Sequence, residues 1–81
     1  LYVGETLEVD KVAGRVKVDV KNHFALGDKL EIIEPEGNQD LTLDAMWNLK
    51  GEAIDVAPGS GHIVWIKAPI KGDRAFIARY V

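Results

Sequence analysis

Apolar and polar residues alternate without a break over Arg15-Val16-Lys17-Val18-Asp19-Val20-Lys21. Side chains of a strand point to opposite faces in turn, so the three valines share one face and Arg15, Lys17, Asp19 and Lys21 the other. A buried apolar face and a wet charged face are the mark of an antiparallel sheet solvated on one side. The segment before it, residues 1–10, spaces Tyr2, Val3, Leu7 and Val9 among polar residues as a first strand, with Gly4 marking a bulge or bend. Lys11-Val12-Ala13-Gly14 connects the two.

Beyond Lys21 the pattern breaks at Asn22-His23, and Phe24 and Leu26 are apolar anchors on the way into a Gly27-Asp28 turn. Glycine takes positive φ without a Cβ penalty, and the Asp carboxylate accepts bonds from turn amides. A strand follows over Lys29 to Glu34, with Leu30 and Ile32 on one side, and residues 35–39 read as a turn. Residues 40–50 are ambiguous. Leu41, Leu43, Ala45, Trp47 and Leu49 alternate as in a strand, while Leu43, Met46 and Trp47 also make a helical stripe. The strand reading is favoured, with a short helical turn over 44–48 as its alternative. Gly51-Glu52 then turns into a return strand over 53–57, and Pro58-Gly59-Ser60-Gly61 is a loop.

Residues 62–68 are β-branched and aromatic on both faces up to Lys67, which suits a central strand. A turn carrying a second Gly-Asp pair, Gly72-Asp73, leads to a last strand with Phe76, Ala78 and Tyr80 set against Ala75, Ile77 and Val81. Six or seven short, mainly antiparallel strands spaced by turn residues predict an all-β fold, a small single-domain β-barrel whose closure removes exposed edges. The expected core is Leu7, Val16, Val18, Val20, Leu30, Ile32, Leu43, Ile54, Val56, Val64, Ile66, Phe76 and Ala78.

At 81 residues the chain is one domain with a single modest core and little room for a catalytic cavity. Its first residue is Leu1, and it is expected to be a domain, residues 1–81, excised from a longer protein. It has no cysteine, hence no disulfide framework or thiolate site, which fits a reducing cytoplasm. No apolar run approaches the roughly 20 residues of a membrane helix, so no membrane partner is expected. Ten basic residues against 13 acidic ones, a net charge of −3, argue against a phosphate grip over the whole surface.

The two histidines, His23 and His62, flank turns, where bonding to loop backbone is their ordinary use. Ser60 lies in Gly59-Ser60-Gly61, which lacks the spacing and the strand-to-helix context of a nucleophile elbow. Glycines are scattered singly through turns and form no phosphate cradle. No catalytic, cofactor-binding or metal-binding residue is expected. One candidate binding face remains: Arg15, Lys17, Lys21 and Lys29, with Phe24 or Trp47 beside them, could track a single-stranded nucleic acid. Its ordinary alternative is a solvated sheet face interrupted by Asp19. Trp47 and Trp65 mark a docking surface if exposed and core if buried.

Several stretches in order carry a family resemblance: Asn22-His23-Phe24-Ala25-Leu26-Gly27-Asp28-Lys29-Leu30-Glu31, Met46-Trp47 ahead of Gly51-Glu52-Ala53-Ile54-Asp55-Val56-Ala57, Val64-Trp65-Ile66-Lys67, and Ile70-Lys71-Gly72-Asp73-Arg74. Together they resemble the C-terminal domain of peptidase family U32 proteins, the collagenase-like group, across nearly the whole chain. The resemblance implies a small β-barrel appended to an N-terminal catalytic domain, which would be its partner in the same chain. The Gly-Asp turns also resemble those of the second-domain barrels of translation factors, at the level of fold alone.

The family's members are bacterial peptidases, some collagenolytic, while others are implicated in hydroxylating nucleotides of transfer or ribosomal RNA. Their catalytic and iron–sulfur-binding residues belong to the other domain, so none carries onto positions here. The implied role is a non-catalytic accessory domain of a hydrolase. It would assist binding of a protein or RNA substrate or pack on the catalytic domain. The alternatives are a purely structural or self-association domain using Trp47 or Trp65, and an RNA-positioning module of a U32-type RNA-hydroxylation enzyme.

Overall fold

The computed structural model describes all residues, Leu1–Val81. It contains nine strands and no helix: β1 (Tyr2–Asp10), β2 (Arg15–Val20), β3 (Phe24–Ala25), β4 (Lys29–Glu34), β5 (Gly37–Thr42), β6 (Met46–Trp47), β7 (Val56–Ala57), β8 (Ile63–Lys67) and β9 (Phe76–Arg79). Seven form one antiparallel sheet in the order β5-β4-β9-β1-β2-β8-β6, and β3 pairs with β7 in a separate ribbon. There is no helix long and apolar enough to cross a membrane.

The all-β expectation holds, with the barrel's circuit completed by loop bonds rather than by a continuous ladder. Leu43, just past edge strand β5, accepts a bond from the Gly27 amide at 2.8 Å and donates to Asp28 at 2.9 Å. On the far side of the ribbon the Ile54 amide donates to Met46 of edge strand β6, also at 2.9 Å. The ribbon β3–β7 thus spans the gap between the two edges of the large sheet.

Alternation in β2 does what the sequence requires of it. Val16, Val18 and Val20 are fully buried, while Arg15, Lys17 and Asp19 stay half-exposed on the other face. Opposite them in β8, Val64 and Ile66 point inward and leave Ile63, Trp65 and Lys67 outward. The core is one cluster of 16 side chains, each fully buried Val, Leu or Ile contributing about 1.5–3 kcal/mol.

Five residues of the expected core lie outside it, and three of them, Leu7, Val56 and Phe76, are exposed by 51%, 39% and 50%. Leu7 is turned out by a register shift between Thr6 and Glu8 in the β1–β2 ladder, which no alternation reveals. In β9 both faces are apolar, so the phase had to come from pairing. Ile77 is fully buried opposite Ile32, and Phe76, opposite Ile33, faces solvent. Ile54 and Ala78 are only partly buried. Val3, Phe24, Met46, Ala57, Ala68, Ile70 and Ala75 complete the core.

Residues 40–50 form neither one strand nor a helical turn. The hairpin reverses at Pro35-Glu36, β5 ends at Thr42, and β6 is a separate pair whose Met46 points inward and Trp47 outward. The return strand over 53–57 reduces to an isolated Trp47–Ala53 bridge and the two residues of β7.

The two Gly-Asp corners work differently. Gly27 has a φ of 89°, and an Asp28 carboxylate oxygen accepts the Ala25 amide at 2.8 Å. Gly72 has no positive φ; its corner is held instead by the buried carboxylate of Glu34, which accepts the amides of Lys71 and Gly72, each at 3.0 Å.

Candidate functional site

The outward face of β2, β8 and β6 collects the largest side chains that the core leaves out. Antiparallel register sets Lys17 directly opposite Trp65, and Trp65 opposite Trp47, so the three form a row across the strands. The next row sets Arg15 opposite Lys67. Arg15 reaches diagonally to the indoles, its guanidinium carbon 5.3 Å from the Trp47 ring centre and 5.2 Å from that of Trp65. Lys17 Nζ lies 5.4 Å from the Trp65 ring. Both indoles are half-buried, so part of each ring is wet.

Trp47 is held from the chain as well as from its neighbours. The next residue, Asn48, accepts the amides of Lys50 and Glu52 on its side-chain oxygen at 2.9 and 3.0 Å and donates from Nδ2 to Glu52 Oε1 at 2.8 Å. That turn fixes the exit of β6, and with it the face that Trp47 presents.

The cations of this face differ in what neutralises them. Lys17 pairs with Glu8 at 3.3 Å and Lys21, just past β2, with Asp19 at 2.9 Å. The hydrogen bond to Asp19, and then its charge, raise the Lys21 pKa above the ordinary 10.5. Arg15 and Lys67 take part in none of the molecule's four ion pairs. Asp10, the neighbour of Arg15 on the β1 side, accepts the Ala13 amide at 3.0 Å instead. Arg15 Nε is buried without a hydrogen-bond partner.

Of the residues expected to form a binding face, Arg15, Lys17 and Trp47 come together and Lys21 continues the same side of β2. Phe24 does not join them: it is fully buried, in the ribbon opposite Ala57. Lys29 lies on β4, separated from β2 by β9 and β1, with Nζ 5.0 Å from the Tyr80 ring and 3.8 Å from Asp40. Trp65 and Lys67 enter the face through the pairing of β8 with β2. Residues 63–66 are apolar on both faces, so the local pattern states neither that Trp65 points outward nor which strand it adjoins.

His62 Nδ1 lies 3.2 Å from the Gly59 carbonyl, the loop-backbone use expected of it, and His23 is exposed at the strand end. The chain has no cysteine, and no three His, Asp or Glu side chains converge. Away from the indole face, a concavity of about 370 Å³ lies between Ile33, Pro35, Arg74 and Phe76. At its edge Phe76 meets the exposed Tyr2 ring edge-on, 6.1 Å between centres.

The model of the peptidase family U32 C-terminal domain matches residues 1–79. The chain belongs to that family. Among solved structures, the C-terminal domain of a Geobacillus thermoleovorans protein described as a U32 peptidase superposes with a TM-score of 0.89 at 26% identity, covering 99% of this chain and 92% of that one. Its selenomethionine variant gives a TM-score of 0.83, with 99% of each chain covered. In sequence, the U32 domain is 52% identical over 68 residues to tRNA hydroxylation protein P of Escherichia coli (strain K12). It is 40% identical over the same length to the protein of that name from Haemophilus influenzae. Each match covers 84% of this chain and 15% of the relative, so the chain spans about a seventh of the relatives' length.

Proposed function

We propose that this U32 domain positions RNA for the hydroxylation chemistry of a larger protein, using the outer face of β2, β8 and β6. The observation that carries the reading is Arg15, held between two half-wet indoles beside Lys67, with neither cation paired to a carboxylate. Aromatic rings interleaved with free cations are what a nucleic-acid strand binds, stacking bases on the rings and resting phosphates on the charges. The net charge of −3 confines such contact to a local face. The name borne by relatives at 52% and 40% identity supports RNA over a protein substrate. Held by this face, an RNA reaches the reacting centre in a fixed orientation, and the entropy of alignment is met in binding. The domain's own side chains would supply affinity and orientation, and the reaction itself would belong to an N-terminal domain of the same protein.

The test uses the full-length protein and transfer RNA. Arg15→Ala combined with Lys67→Ala is expected to weaken binding at least tenfold with the circular dichroism spectrum unchanged. Unchanged affinity in a folded double variant overturns the reading.

A packing role is favoured by a separate observation farther along the same sheet, on β1 and β9. Tyr2 and Phe76 are exposed by 42% and 50% and contact each other at the rim of the Arg74 concavity. That aromatic pair suits contact with the rest of the parent protein, leaving the indole face free. Phe76→Ser would then loosen the two domains, seen as separate melting transitions, without changing RNA affinity.

A further inference from the structure

The indole face divides into a part that is neutralised and a part that is not. Lys17 and Lys21 have carboxylates at 3.3 and 2.9 Å. Arg15 and Lys67 are direct cross-strand neighbours of like sign. Such a pair destabilises a sheet unless something of opposite charge lies against it. The adjacent carboxylate, Asp10, is engaged with the Ala13 amide, so it is not spent on this pair. Arg15 is also stiffened by its two indoles. A planar guanidinium held in place, with an ammonium beside it, is a receptor for a phosphate oxygen. The surface next to it carries Trp47 and Trp65, both aromatic and half-wet.

We infer that this corner is a nucleotide subsite: Arg15 and Lys67 take one backbone phosphate, and the Trp47–Trp65 pair stacks the base attached to it. The assignment rests on the RNA-positioning reading above and narrows it to unpaired nucleotides. A base inside a duplex is stacked on its neighbours and shows no free π-face, whereas a loop or single strand does. Stacking is indifferent to base identity, so the subsite selects for strand state rather than sequence. The domain therefore directs an unpaired segment of the RNA, and not a stem, along β8.

The experiment titrates the full-length protein with a fluorescently labelled 12-nucleotide RNA, alone and annealed to its complement, and with whole transfer RNA. The single strand is expected to bind at least tenfold more tightly than the duplex and to quench tryptophan fluorescence. In Trp47→Leu and Trp65→Leu, that preference should shrink by about 5-fold to 160-fold, the range for loss of one stacked base. Lys67→Ala, at an exposed position that should not perturb folding, should lower the slope of log affinity against log salt by about 0.7, one phosphate contact to a single strand. Two outcomes overturn the inference while leaving the RNA reading standing. One is equal binding of single strand and duplex. The other is a preference untouched by both Trp variants in a protein whose transfer RNA affinity still falls with Arg15→Ala and Lys67→Ala. Transfer RNA affinity unchanged in all four variants overturns both together.

Discussion

The carboxylate of Glu34 accepts a hydrogen bond from the amide of Gly72 at 3.0 Å, across 38 residues of chain. With the Lys71 amide on the same oxygen, it holds the end of the β4–β5 hairpin against the loop leading to β9. Glu34 is 6% exposed and has no cationic partner, so these amides are what replaces its water. Glu34→Ala leaves two amides without an acceptor and is expected to cost about 1–3 kcal/mol. A thermal melt should show it as a fall of about 4–8 °C for each kcal/mol, with Glu34→Gln, which keeps a carbonyl acceptor, falling less.

Gly4 of β1 lies opposite Val20 of β2. A Cβ there would lie 2.7 Å from Val18 Cγ1 and 2.8 Å from the Asp19 carbonyl oxygen. Gly4→Ala should therefore destabilise by about 1–3 kcal/mol, the range for overpacking. Val18→Ala in the same chain relieves the side-chain clash and leaves the backbone one. Denaturant midpoints of the two single variants and the double variant should show partial compensation at most.

Tyr80 donates its hydroxyl proton to Asp40 at 2.7 Å. That bond first, with burial and the Asp40 charge behind it, pushes the Tyr80 pKa up from 10.0 to about 12. A folded-state pKa above the unfolded one means that the stabilisation is complete below pH 10 and is lost as the pH climbs toward 12. Absorbance of the phenolate should show Tyr80 ionising near the top of that window. In Asp40→Asn its ionisation should move back toward 10.0, with less stability lost between the two limits.

Arg15 between its indoles is also a structural element. Its removal should cost about 0.5–2 kcal/mol through lost cation–π contact, plus the packing of its aliphatic stem. Arg15→Lys keeps charge but not the plane and should recover only part. Chemical denaturation of the wild type and the two variants, followed by tryptophan emission, checks the order.

Much of this fold is legible in one strand. The unbroken alternation of residues 15–21 states which side of β2 is buried, and the structure agrees at every position from Arg15 to Val20. Local pattern fails where a register shift or a pairing decides. Leu7 is displaced by a bulge, and Phe76 and Ile77 are equally apolar candidates until β4 and β1 choose between them. The candidate site follows the same division. Arg15, Lys17 and Trp47 are visible as outward residues, but their assembly needs Trp65, which arrives from 48 residues beyond Lys17. Phe24 looked like an exposed companion because it stands beside a turn; as part of the ribbon that fills the gap between β5 and β6, it is core.

That ribbon also decides how the domain behaves toward other chains. An open seven-stranded sheet has two free rims where a foreign strand can add and start aggregation. Here one rim is the polar stretch Gly37–Thr42, interrupted by Asp40, and the other is only the two residues of β6. The bonds from Gly27, Leu43 and Ile54 engage the main chain at both rims, so the domain offers no long apolar edge to a second molecule.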